Sequence, residues 1–170
     1  KQELSLRQRP VELDRLVQIA KVQSTESSNR IEGIVTTNTR LKQLMADKTT
    51  PLNRDEGEIL GYRNVLHLIH ENYSLIPLKP GYILQLHRDM LKYTSLTYGG
   101  QWKNVPNEVD MTLPTGEKVV LFQPLAPYET PAAVEAICTS YQKTLELRAV
   151  DPLLLIPCFI LDFLCIHPFN

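Results

Sequence analysis

The sequence is short of the residues and runs that would mark several protein classes. Cysteine is scarce: Cys138, Cys158 and Cys165 are an odd set with no CxxC spacing. That argues against a disulfide framework and against a zinc site. Two of the three lie in a very apolar run, where a free thiol acts as a small hydrophobe, so a reducing cytoplasm is the expected compartment. Charge of one sign is also missing. The 18 basic residues stand against 19 acidic ones, the net charge is -1, and neither sign collects into a block. A nucleic-acid surface and a polyanionic tail are therefore not expected. No apolar run approaches the roughly 20 residues of a membrane span, so no membrane partner is expected either. Lys1-Gln2-Glu3-Leu4-Ser5 has no apolar signal core, and without methionine it is not expected to be the native start. Internal repeats and low-complexity segments are absent. What remains is 170 residues with 43% hydrophobic and 22% charged side chains, enough for one sizeable core in an ordinary globular domain.

Apolar periodicity divides most of that chain into helices. Pro10 followed by Val11, Leu13, Leu16, Val17 and Ala20 predicts an amphipathic helix with proline in its first turn. A polar stretch over 23–30 leads into Ile31-Glu32-Gly33-Ile34. Leu41, Leu44 and Met45 mark a short second helix, capped by Thr37 or Asn38. Asn53-Arg54-Asp55-Glu56 has the spacing of a capping box and opens a third, with Ile59, Leu66 and Ile69 inward. Pro80 opens a fourth through Ile83, Leu84, Leu86, Met90 and Leu91. Helical periodicity then stops over 94–127. There Val109-Asp110-Met111-Thr112-Leu113 and Lys118-Val119-Val120-Leu121-Phe122 flank Pro114-Thr115-Gly116-Glu117, two short strands around a glycine-bearing turn. Thr130-Pro131 caps a further helix to about Arg148, and Asp151-Pro152 caps the last.

That last helix is unusual, because between Leu153 and Ile166 only Asp162 is charged. A helix apolar on every side in a soluble protein is expected to be a buried central one. Pro157 is expected to remove one hydrogen bond and bend it slightly. The expected fold is mainly α, a helical bundle around this buried central helix, with a projecting β-hairpin.

Residue types alone leave several sites open. His167 follows the last helix and precedes Pro168, which disfavours helix at the residue before it and pushes it towards extended geometry. An imidazole there is either a C-terminal cap favoured by the helix dipole or a fixed surface base. Ser28 and Glu32 share a face if helical, while Asn29 and Glu32 have capping-box spacing and would simply start a helix. The hairpin can be a structural cover. His67 and His70 are i, i+3 but lack a third ligand at helpful spacing, and Trp102 reads as packing.

Three stretches, in order, narrow these choices. Ile166-His167-Pro168-Phe169-Asn170 resembles the opening of the Fic motif, HPFx(D/E)GNGRxxR. Gly99-Gly100-Gln101-Trp102-Lys103 resembles the Gly-x-Trp-(Arg/Lys) element of the same family, and the hairpin after it resembles the Fic flap. Ser28-Asn29-Arg30-Ile31-Glu32-Gly33 matches the inhibitory motif (Ser/Thr)xxxGlu(Gly/Asn), in the order of members with an N-terminal-side inhibitory helix. The resemblance covers about residues 20–170.

It implies transfer of AMP from ATP, with Mg2+, onto a Ser, Thr or Tyr hydroxyl of a target protein. His167 would be the general base, a task suited to imidazole near neutral pH. Pro168, Phe169 and Asn170 would support the motif, Phe169 by anchoring its loop in the core. Glu32, with Ser28 and Gly33, would hold the last motif arginine away from the γ-phosphate of ATP. Val109, Met111, Leu113, Val119 and Leu121 would line a flap that takes an extended target segment by β-augmentation. Residues 1–50 would form the N-terminal helices with the inhibitory motif, and 51–170 a Fic core incomplete at its C-terminal end. The acidic Mg2+ ligand, the phosphate cradle and the arginines of that motif fall after Asn170, so no metal ligand is expected within these residues and the chain is expected to be a fragment. An inactive Fic-like binding module, transfer of a different nucleotide-derived group and removal of AMP stay open. So does a homodimer.

Overall fold

The computed structural model describes residues 10–148 and 150–170. Among them are six helices: α1 (Pro10–Ile31), α2 (Asn38–Met45), α3 (Arg54–Asn72), α4 (Pro80–Met90), α5 (Thr130–Leu147) and α6 (Pro152–Ile166). A 3-10 turn, Tyr73–Leu75, follows α3. One hairpin, β1 (Val109–Thr112) with β2 (Lys118–Phe122), interrupts the helices. The mainly helical class with one hairpin is as the sequence predicts.

Side-chain caps set three of the six helix starts. The Thr37 side chain accepts from the Arg40 N–H at the start of α2, the Asn53 side chain from Glu56 at the start of α3, and the Asp151 side chain from Leu153 at the start of α6. Each satisfies one of the donors that a helix N-terminus leaves free. At α5 the expected cap is not used: the Thr130 hydroxyl lies inside the helix and donates to Ala126 O at 3.1 Å. In the hairpin, Met111 pairs with Val119 and Thr112 with Lys118. Gly116 supplies the turn with a φ of 85°, a left-handed conformation that favours glycine.

The chain forms two compact units. The first runs to Ile76 and includes Arg88–Gly99; the second comprises Pro77–His87 and Gly100–Asn170. In the first, Leu41, Leu44 and Ile59 form the core, with Ile34 and Met45 against it. In the second, Val134, Cys138 and Ile166 are buried together, joined by Ile83, Trp102 and Phe159.

Two expectations are corrected. First, α1 does not end before residue 23, and its buried stripe is not apolar. Leu16 and Val17 are exposed, whereas Lys21, Thr25 and Asn29 are buried. This is tolerated because the stripe bonds back on its own helix. Thr25 Oγ1 donates to Lys21 O and Asn29 Nδ2 to Thr25 O, each at 2.8 Å. Second, α6 forms across Pro157 as a helix but is not buried. Leu153 is 81% exposed and Leu164 61%, and within the helix Ile166 alone is buried. A helix apolar all round needs neighbours all round, and α5 is the helix packed along it. Its less exposed positions, Leu155, Phe159, Phe163 and Ile166, are spaced as one helical stripe.

Candidate active site

The end of α6 delivers His167 to the surface. His167 has φ 46° and ψ 69°, a left-handed conformation uncommon for a residue with a Cβ. Pro168 disfavours the right-handed region here. The sequence predicts extended geometry; the chain takes the left-handed alternative, in which the His167 N–H closes the helix on Phe163 O at 3.0 Å. His167 is exposed, Pro168 buried and Phe169 half-buried. The Phe169 ring stacks on His87 at a centroid distance of 3.8 Å and on Trp102 at 5.5 Å, with Phe163 edge-on at 6.2 Å. Burial pushes the His87 imidazole below its ordinary pKa, and its Nδ1 accepts from the Gly100 N–H at 3.3 Å.

Polar groups fix the same loop from the other side. Lys103 is buried, and its backbone N–H donates to Pro168 O at 2.8 Å. Its ammonium, whose pKa burial lowers, donates to Ile166 O and to Asn107 Oδ1, both at 2.9 Å. Asn107 Nδ2 in turn reaches Phe169 O at 3.0 Å, His167 O at 3.4 Å and His167 Nδ1 at 2.7 Å. The imidazole at the end of α6 is thereby held in both main chain and side chain. Asn170 is exposed, with Asn104 Oδ1 at 3.5 Å from its amide.

The residues expected to form the flap lie on the hairpin, and those expected to form the inhibitory motif in and just after α1. Val109, Met111, Val119 and Leu121 are exposed on the hairpin, and Leu113 is half-buried. The register puts Met111 opposite Val119, so apolar side chains share one face. Lys118 and Asp110 form an ion pair at 3.0 Å. Ser28, in α1, accepts from Tyr62 Oη at 2.9 Å. The Asn29–Glu32 spacing does not start a helix; it sits where α1 ends. The N–H groups of Gly33 and Ile34 donate to Arg30 O at 3.1 Å and Asn29 O at 2.9 Å, and Gly33 has φ 75°, a Schellman termination. Glu32 is exposed at that C-terminus and its carboxylate makes no ion pair among the described residues. Ser28, Glu32 and Gly33 belong to the first unit; the flap and residues 167–170 belong to the second.

A family model for Fic/DOC proteins matches residues 77–170, more than half of the chain. The chain belongs to the Fic/DOC family. Its fold matches the crystal structure of a Fic domain containing signaling protein from Bacteroides thetaiotaomicron VPI-5482, with a TM-score of 0.79 and 26% identity. The match covers 94% of this chain and 60% of that one, so the chain spans about three fifths of its relative's length. No curated protein matches. Fic proteins are in general transferases that place a nucleotide-derived group on a protein target.

Within this Fic chain the sequence signals found the loop but not what holds it. Lys103 was visible only as the basic end of the Gly99–Lys103 stretch. Asn107 carries no local signature, and His87 shows only as a polar residue one turn after Ile83. His67 and His70 are both exposed. Among the described residues no group of three or more His, Cys, Asp or Glu is placed to hold a metal ion. No described helix is long and apolar enough to cross a membrane.

Proposed function

We propose that the protein transfers AMP from ATP to a Ser, Thr or Tyr hydroxyl of a target protein, with His167 as the base. The observation that carries this reading is the exposed imidazole at the end of α6, fixed by Lys103 and Asn107 in a Fic chain. As the hydroxyl oxygen bonds to phosphorus, His167 takes its proton, and pyrophosphate leaves from the nucleotide. Mg2+ would neutralise phosphate charge. Among the described residues no group of three or more His, Cys, Asp or Glu could hold it. Val109, Met111, Val119 and Leu121 would offer an apolar strand surface and free backbone groups to an extended target segment. Residues 1–50 would carry the inhibitory motif and 51–170 the core. The free thiols of Cys138, Cys158 and Cys165 suit a reducing cytoplasm.

The test is incorporation of labelled AMP by the full-length protein with ATP and Mg2+. His167→Ala should lower it by roughly 10²–10⁴-fold, the usual worth of general base catalysis, with ATP binding largely kept. Undiminished incorporation by that variant removes His167 from the mechanism.

A further inference from the structure

The contacts around Asn107 determine where the proton on His167 sits. A lysine ammonium only donates, so the amide atom facing Lys103 Nζ at 2.9 Å is the oxygen. A carbonyl only accepts, so the atom facing Phe169 O at 3.0 Å and His167 O at 3.4 Å is the nitrogen. Both sides give the same orientation without reference to the imidazole. That nitrogen, which has hydrogens and no acceptor capacity, lies 2.7 Å from His167 Nδ1. Nδ1 must therefore be bare, and a neutral ring then carries its hydrogen on Nε2. A doubly protonated ring would set N–H against N–H.

We propose that Asn107, its amide oriented by Lys103, is a positioning residue that holds His167 in the Nε2–H tautomer. The inference rests on the reading of His167 as the base and deepens it. With Nδ1 covered by Asn107, Nε2 is the ring nitrogen left to meet a hydroxyl, and in this tautomer it has no lone pair to offer. The structure is thus a resting form of the base. Priming moves the ring proton from Nε2 to Nδ1, so no proton is gained or lost overall, and Asn107 must release Nδ1 for this to happen. Lys103 opposes that release, because its ammonium is buried with Asn107 Oδ1 and Ile166 O as its acceptors.

Ring-nitrogen chemical shifts of isotope-labelled histidine in the full-length protein test this, at a pH well above the imidazole range. His167→Ala identifies the His167 signals among those of the other histidines. The wild type should show a bare Nδ1 and a protonated Nε2. Asn107→Asp replaces the donor with an acceptor and should invert the pattern, which a merely structural role would not do. If that variant fails to fold, Asn107→Ala should move both nitrogens to values averaged over the two tautomers. A wild-type ring protonated on Nδ1, or folded variants with unmoved ring nitrogens, would overturn the proposal. No ATP or target is present, so this outcome is separate from that of the AMP-transfer assay.

Discussion

Glu56, in the first turn of α3, is a buried carboxylate with every contact made to a donor. Arg40 approaches it at 2.9 Å and 2.5 Å, Thr36 Oγ1 at 3.0 Å and the Leu52 N–H at 2.9 Å. Hydrogen bonding from the Arg40 guanidinium outweighs burial and holds the Glu56 carboxyl at about 2, against an ordinary value of 4.5. A depressed carboxyl stabilises the fold fully above its unfolded value, and the contribution is lost as pH falls through the folded one. Unfolding free energy from urea titrations should therefore drop between about pH 4.5 and about 2. Glu56→Gln should be less stable at neutral pH, because it leaves Arg40 without its charge partner, and its profile should lack this part of the slope. An unchanged profile would remove the pair from the acid response. The spacing of Asn53 and Glu56 was legible as a helix start, since a cap is a local device. The partner of Glu56 was not, because Arg40 lies 16 residues upstream. The site behaves likewise: the motif points to His167, while Lys103 and Asn107 meet its loop from some 60 residues away.

At the scale of elements, α3 is shaped by two glycines one turn apart. A Cβ on Gly61 would stand 1.7 Å from Met90 O, and one on Gly57 2.3 Å from Tyr93 O. Backbone cannot yield as a flexible side chain does, so the end of α4 and the chain just after it lie against α3 only because these positions lack side chains. Gly61→Ala should cost about 1–3 kcal/mol or more, the range of overpacking. Gly81, in the first turn of α4, has nothing within 4 Å of such a Cβ, and Gly81→Ala should stabilise by about 0.5–1 kcal/mol through helix propensity. Thermal or urea unfolding of the two variants checks both signs, and equal effects would refute the close approach. From the sequence, these glycines are only weak helix formers; what they admit is a tertiary fact. The length of α1 was hidden for a related reason. Its residues over 23–30 look like a loop by polarity, yet their side chains bond to helix carbonyls and Glu26 pairs with Arg30 one turn on.

At the scale of the whole molecule, hydropathy and position part company. The apolar character of α6 predicts burial on all sides, but hydropathy states what a surface prefers and not what lies beside it; α5 covers one stripe. The two halves of the proposed control also fall in different units, Glu32 in the first and His167 in the second. Glu32 is exposed at the C-terminus of α1, where the helix dipole disfavours a carboxylate. Local stability therefore gives no reason for an acid there, whereas the proposed competition for an arginine would. A carboxylate and a phosphate cannot both pair with one guanidinium, so removing the carboxylate frees it for bidentate phosphate contact. A charged hydrogen-bond pair is worth about 1.5–3 kcal/mol, so Glu32→Gly should raise AMP incorporation on the order of tenfold to a hundredfold. Stability should shift by only about 0.5 kcal/mol, as for other surface substitutions. The measurement is AMP incorporation by wild type and variant side by side, with a melting curve for each. Equal incorporation with a lowered melting temperature would make Glu32 a structural residue and end the autoinhibition proposal.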